Sequence, residues 1–147
     1  MELLIERMTV EDLDVISTIL YSDFDDFWSM EVFKEELKNP NTYYLKAIIN
    51  DEIVGFGGIY QVLDEMQINY IVTKKDKRNL GIASKILYNL ISFANTKNIK
   101  LITLEVNEKN ITAIKLYEKF GFKKIAIRKK YYNNTDNAIF MQKNIWI

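Results

Sequence analysis

The sequence predicts an α/β protein with a mixed, mostly antiparallel sheet, one parallel pair of strands, and helices on both faces. Three observations support this fold class. Apolar residues recur at helical spacing over residues 81–97. The segment IKLITLEV (99–106) has apolar residues at both odd and even positions, as in a strand covered on both faces. The run TYYLKAIINDEIVGFGGIYQV (42–62) contains two strand patterns around the turn NDE, which predicts an antiparallel hairpin.

The first part of the chain alternates strand and helix signals before this hairpin. LLIERM has a strand pattern, and Thr9 followed by Asp12 has the spacing of a capping box. The helix that follows places four apolar residues on one face: Leu13, Ile16, Ile19 and Leu20. A second helix is predicted after Ser29 as its N-cap, with Trp28 and Phe33 placed as a hydrophobic staple.

The second part of the chain contains a strand, a loop, a helix and a strand in succession. EMQINYIVT predicts a fourth strand with one apolar face: Met66, Ile68, Tyr70 and Val72. An amphipathic helix then runs from Gly81 to about Lys97, so the strands on either side of it should be parallel neighbours. A last helix ends before Gly121, and FKKIAIRKKY and NAIFMQKNIWI read as strands. We find no repeat or linker, and predict one domain over residues 1–147.

Composition restricts the possible chemistry. The 147 residues include no cysteine and no histidine, which excludes disulfides, thiolate nucleophiles and Ser-His pairs. Catalysis would have to use carboxylates, tyrosines, lysines or the backbone, and no metal site is predicted. The 20 basic and 20 acidic residues cancel, so the charge favours neither nucleic acid nor a membrane as partner. The opening MELLIERMTVEDL lacks a targeting pattern, so we expect a cytoplasmic protein.

The segment KKDKRNLGIASK (74–85) lies between the fourth strand and the long helix. Free N–H groups at a helix N-terminus, together with the helix dipole, bind phosphate oxygens. Gly81 would let an anion approach the backbone closely, with Arg78 nearby. The alternative is a plain strand-to-helix loop in which Gly81 only makes the turn. The segment matches neither a Walker loop nor G-x-G-x-x-G.

Several motifs together resemble one family. R-x-x-G-x-A at residues 78–83 is similar to the acyl-CoA pyrophosphate loop of the GNAT N-acetyltransferases. Within that superfamily, LEVNEKNITAIKLYEKFGF, RKKYYNNTDNAIFMQK and FWSMEVFKEEL resemble three segments of the RimI-type ribosomal-protein alanine acetyltransferases, in the same order. Three positions depart from these patterns, namely Asn107 for Arg, Phe27 for Pro and Ala83 for Gly. Asn107 and Phe27 bear on the choice of acceptor rather than on the cofactor.

The resemblance implies a GNAT-like sheet, acetyl-CoA as cofactor, and a set of site residues. The cofactor would bind residues of the loop and helix start, the end of the fourth strand, and one asparagine: Arg78, Asn79, Leu80, Gly81, Ile82, Ala83, Ser84, Ile71, Val72, Thr73 and Asn110. Substrate contacts are implied for Trp28, Asn107 and Tyr131. Tyr117 corresponds to the general acid of the family.

Glu105 ends an apolar strand, at the edge where an open α/β sheet binds ligands. A carboxylate at that edge can take a proton from an attacking amine, which makes Glu105 the candidate general base. A glutamate there is also compatible with a solvated strand end or a pair with a lysine. The predicted acceptor is the N-terminal alanine of a small-subunit ribosomal protein. Two alternatives remain, a small-molecule amine acceptor or a non-catalytic module that binds acyl-CoA or RNA.

Overall fold

The computed structural model describes residues 2–24, 29–132 and 135–145. Seven strands and five α-helices lie within these residues, and a single 3₁₀ turn at Lys75–Lys77 precedes α4. The elements in chain order are β1 (Leu3–Arg7), α1 (Val10–Ile16), α2 (Leu20–Asp23), α3 (Met30–Lys38), β2 (Thr42–Ile49), β3 (Glu52–Val62), β4 (Glu65–Thr73), α4 (Ile82–Asn95), β5 (Leu101–Asn107), α5 (Ile111–Lys119), β6 (Lys123–Tyr132) and β7 (Asp136–Asn144).

The strands form one sheet in the order β1-β2-β3-β4-β5-β7-β6. Neighbouring strands are antiparallel except for β4 and β5, which flank α4 in sequence and pair in parallel. A strand-helix-strand crossover produces this arrangement, as the amphipathic helix predicted. The predicted fold class, a mixed and mostly antiparallel sheet with one parallel pair, is therefore confirmed.

Helices cover both faces of the sheet. One apolar cluster contains α4, part of α5, and the facing side chains of β2, β3, β4, β5 and β7. A second cluster, on the other face, joins α1, α2 and α3 to β2, β3 and β4. Burial of these two sets of side chains is the main force that holds the helices to the sheet. Among the described residues, the second cluster includes no side chain of β5, β6 or β7.

The predicted first helix is divided in two. Asp12 accepts the N–H of Thr9 at 2.8 Å, as a capping box requires, and α1 begins at Val10. The helix ends at Ile16, where the Ser17 hydroxyl donates to the carbonyl of Asp14. Hydroxyl side chains that bond to nearby carbonyls favour such breaks. The Ser29 cap is confirmed, since its Oγ accepts from the N–H of Val32 at 3.2 Å, whereas Trp28 lies outside the described residues.

A β-bulge in β4 changes which of its residues share a face. Gly58 pairs with Tyr70 and Ile59 pairs with Ile68, so Asn69 is an extra residue. Met66 and Ile68 consequently belong to the core under α4, while Tyr70 and Val72 belong to the core under α3. The prediction that these four side chains share one face is therefore wrong. Strict alternation holds only without an inserted residue.

The glycines of β3 allow close packing against the sheet. A Cβ on Gly55 would lie 2.7 Å from Ile82, and one on Gly57 would lie 2.8 Å from Ile86. Both isoleucines belong to α4, so two positions without side chains bring this helix close to the strand. On the other face, a Cβ on Gly58 would clash with the Tyr44 ring.

Candidate active site

The two parallel strands separate from each other after a short paired stretch. β4 and β5 pair only at Glu65–Gln67 with residues 101–103. Beyond that stretch β4 stays paired with β3 up to Thr73, and β5 stays paired with β7 up to Asn107. The two strands thus form the sides of a wedge that opens toward their carboxyl ends, which is where open α/β sheets bind ligands.

The start of α4 lies beyond the end of β4 and has free backbone donors. Asn79 and Gly81 have positive φ angles of 64° and 76°, and Gly81 is the N-cap. The helical geometry leaves the N–H groups of Ile82, Ala83 and Ser84 without intrahelical acceptors. A Cβ on Gly81 would meet nothing within 4 Å, so the space beside this residue is open. This combination fits a pyrophosphate, because the helix dipole adds a partial positive charge there.

The remaining predicted cofactor positions lie on β4, on the loop before α4 and at the start of α5. Ile71 packs against the α4 core and Val72 against the α3 core, so the backbone of β4 lies at the edge between them. Thr73 is buried, and Arg78 and Leu80 are exposed on the loop. Asn110 is the N-cap of α5, where its Oδ1 accepts from the N–H of Ala113 at 3.2 Å. An extended ligand arm can pair with the edge of β4 in the manner of an added strand.

The carboxylate of Glu105 has two different environments. Leu104 and Val106 belong to the α4 core, so Glu105 alternates onto the α3 face. Its Oε1 lies 3.3 Å from Nη2 of Arg128. Its Oε2 is buried and has no hydrogen-bond partner among the residues that the structure describes. Such an atom is a costly acceptor to leave unsatisfied, which indicates a place for a donor from a ligand or water.

Arg128 connects Glu105 to Tyr131. Its guanidinium carbon lies 4.6 Å from the centre of the Tyr131 ring, within the range of a cation–π contact. Tyr131 is 48% exposed, so its ring is accessible on the same face. The glutamate pairs with an arginine and not with the lysine that the sequence left as an alternative. Arg128 is not among the predicted site residues, although it is the first residue of the RKKYY motif.

Asn107 is bonded within the protein. Its Nδ2 donates to Asp136 at 3.0 Å, and its Oδ1 accepts from the N–H of Lys109 at 2.9 Å. Lys109 also forms an ion pair with Asp136 at 2.8 Å, and this lysine, together with Asn107, holds the pKa of Asp136 below its ordinary value. These bonds attach the start of β7 to the end of β5.

Tyr117 lies on α5, where its ring meets that of Phe122 edge-on at 5.8 Å. It belongs to the core on the α4 face and is 9% exposed. Glu105 and Tyr117 therefore lie on opposite faces of the sheet. A ligand that contacts both has to pass between the separated strands β4 and β5, which is the path that the wedge provides.

Known proteins resemble this chain in sequence. The model of the acetyltransferase (GNAT) family matches residues 12–122. The chain belongs to the GNAT family. A Haemophilus influenzae relative named ribosomal protein bS18-alanine N-acetyltransferase is 32% identical over 143 residues, with coverage of 88% of this chain and 97% of the relative.

Solved structures of GNAT proteins show the same fold. The crystal structure of the ribosomal-protein-S18-alanine N-acetyltransferase from Escherichia coli has a TM-score of 0.90 at 26% identity, covering 99% of this chain and 96% of that one. An acetyltransferase of Bacillus anthracis, in complex with acetyl coenzyme A, has a TM-score of 0.80 at 23% identity, covering 99% and 100%. This GNAT protein is an acetyl-CoA-dependent N-acetyltransferase. Within the described residues, no helix has the length and apolarity to span a membrane.

Proposed function

We propose that this GNAT enzyme acetylates the α-amine of a protein N-terminus, namely the N-terminal alanine of a small-subunit ribosomal protein. Relatives that match most of the chain are named as ribosomal protein S18-alanine N-acetyltransferases, and these names support this acceptor. The observation that carries the chemistry is the buried Oε2 of Glu105, which has no hydrogen-bond partner in the described part of the chain. In this proposal, residues 1–147 form one catalytic domain. The reaction would take place in the cytoplasm, because the acceptor is a ribosomal protein.

The cofactor would be held mainly by the backbone. The N–H groups at the start of α4 would bind the pyrophosphate, with Arg78 adding positive charge, and the edge of β4 at Ile71–Thr73 would pair with the pantetheine arm. Bound acetyl-CoA supplies the acetyl group as a thioester. Asn110 has its Oδ1 committed to capping α5, which leaves its amide N–H groups for the cofactor.

Two side chains would move the protons of the reaction. Glu105 takes a proton from the attacking amine, whose nitrogen forms a bond to the acetyl carbon. Tyr117 would supply its phenolic proton to the sulfur that leaves the acetyl group. Arg128 holds Oε1 of Glu105 in place, so Oε2 remains the atom that faces the amine. Direct attack is favoured because the chain has no cysteine, and no histidine to activate a serine.

The acceptor peptide would lie on the α3 face next to Tyr131. This exposed ring and the Arg128 guanidinium form a platform for the first residues of the peptide. We include Trp28 as a further peptide contact on the basis of its motif. Asn107 would act by holding the β7 end of the pocket, since both polar groups of its side chain already have partners there.

A peptide assay tests the acceptor directly. The enzyme is incubated with acetyl-CoA and an alanine-initiated peptide of a small-subunit ribosomal protein, and products are read by mass spectrometry. We expect one acetyl group on the N-terminal amine and none on the same peptide with that amine blocked. Acetylation of a lysine in the blocked peptide, or of polyamines and aminoglycosides instead of peptides, would contradict the proposal. Absence of thiol release with every acceptor would favour a binding module.

A further inference from the structure

The bulge residue Asn69 lies where β4 leaves β5. The last parallel pair joins Gln67 to Thr103, and the inserted residue follows two positions later. A bulge bends its strand and increases the local twist. The direction of β4 over residues 70–73, and with it the width of the wedge, therefore depends on how Asn69 is held.

The side chain of Asn69 is anchored to α3. Its Nδ2 donates to Oε1 of Glu36 at 2.7 Å, although the two residues are 33 positions apart in sequence. Glu36 is partly buried, and burial raises the pKa of its carboxyl. The buried Tyr44 hydroxyl lies beside the Asn69 amide, and burial raises its pKa as well. Breaking this hydrogen bond would leave a partly buried amide and a partly buried carboxylate without each other.

Glu36 is itself fixed in position. Its main-chain carbonyl accepts from Oγ1 of Thr42 at 2.6 Å, which attaches the end of α3 to the start of β2. On the preceding turn of α3, the Phe33 ring stacks on Phe56 at 4.9 Å and meets Tyr70 at 5.9 Å. The carboxyl that binds the bulge thus belongs to a well-packed part of the α3 face.

We propose that Asn69 and Glu36 form a positioning pair that sets the course of β4 for the pantetheine arm. The pair touches neither the cofactor nor the acceptor in this scheme, and acts through the backbone of Tyr70–Thr73. The inference rests on the proposed placement of the arm along β4. It does not depend on the identity of the acceptor.

The nucleotide half of the cofactor should be insensitive to this pair. Its proposed site is the start of α4, and α4 is held against β3 by the contacts of Ile82 and Ile86 at Gly55 and Gly57. None of these contacts involves Asn69 or Glu36. Loss of the hydrogen bond should therefore weaken binding of the arm while the pyrophosphate site keeps its geometry.

Calorimetric titration with two ligands separates these effects. Coenzyme A carries the arm, whereas adenosine 3′,5′-bisphosphate has the nucleotide without it. For Asn69→Ala and Glu36→Ala we expect affinity for coenzyme A to fall about tenfold, and affinity for the bisphosphate to change less than about twofold. Glu36→Gln keeps a side-chain oxygen as acceptor and should bind nearly as the wild type does. Glu35→Ala, an exposed change on the same helix, is the matched control.

The outcomes distinguish the pair from general destabilisation. Equal losses for both ligands, or no loss for either, would overturn the proposal, as would Glu36→Gln behaving like Glu36→Ala. If Asn69→Ala does not fold, the two Glu36 variants carry the same test. Wild-type protein that binds both ligands equally well would instead refute the placement of the arm. None of these titrations uses an acceptor, so a failed peptide assay leaves the result valid.

Discussion

The two sides of the wedge present different kinds of chemical group. On the β4 side, the groups that would meet the cofactor are backbone N–H and C=O groups, placed by a bulge at Asn69 and by the left-handed residues Asn79 and Gly81. On the β5 side, the groups are charged and aromatic side chains. Glu105 pairs with Arg128, and the Arg128 guanidinium contacts the ring of Tyr131.

This difference predicts how each side responds to mutation. A backbone site depends on conformation, so most side-chain changes leave it intact and only residues that fix φ and ψ matter. A side-chain site depends on single functional groups, so removing one proton acceptor removes its chemistry. Cofactor binding should therefore be robust to substitution, and turnover should be fragile.

Glu105→Gln should have the largest effect. Glutamine can still accept a bond from Arg128 but cannot take a proton, so we expect kcat to fall about a thousandfold. Affinity for coenzyme A should stay within about twofold of the wild-type value because the β4 side is unchanged. Steady-state kinetics and calorimetry measure the two quantities, with Glu118→Gln, an exposed position on α5, as control. Unchanged turnover would remove Glu105 from the role of base.

Tyr117→Phe should have the next largest effect. The ring contact with Phe122 is kept, so the melting temperature should change little, while loss of the hydroxyl should lower kcat about a hundredfold. Tyr88→Phe, at an exposed position on α4, should have no effect on turnover. A large drop in melting temperature with normal kcat would show that the hydroxyl serves the core instead.

Gly81→Ala tests the backbone side. The open space around Gly81 rules out a clash, so any effect comes from the φ of 76°, at which alanine is strained by roughly 1–2 kcal/mol. We expect about a tenfold loss of affinity for coenzyme A as the first turn of α4 shifts. Gly81→Asn should lose less, because asparagine tolerates left-handed backbone. Equal losses for both variants would contradict a conformational cause.

Asp136→Asn should have the smallest effect, present at neutral pH and disappearing at low pH. Lys109 and Asn107 hold the folded-state pKa of Asp136 below its ordinary value of 3.8. The stabilisation is therefore present above pH 3.8 and is lost as the pH falls from there through the folded-state pKa. In urea unfolding, the free energy of unfolding should fall less steeply between neutral and low pH for the variant than for the wild type. The exposed Asp14→Asn change is the control. Identical slopes in wild type and variant would contradict this.

Local patterns in the sequence were sufficient for most of the secondary structure and for the parallel pair. The apolar period of α4, the both-parity strand β5 and the caps at Ser29 and Asn110 depend on neighbours within a few residues. Glu105 could be placed near the carboxyl end of its strand for the same reason. The structure contains these features because short-range hydrogen bonds and periodic burial depend on nearby residues and little on the rest of the chain.

Tertiary structure determined the features of the fold and the site that depend on pairing across the sheet. Nothing in EMQINYIVT marks Asn69 as an inserted residue, because a bulge is defined by the register against β3. The contact of Arg128 with Glu105 joins two strands separated by β7, and the bond of Asn69 to Glu36 joins a strand to a helix 33 positions away. The amino-acid pattern thus determined which groups the protein possesses. Only the fold determined which of them meet, since side-chain contacts between distant segments follow from strand order and register.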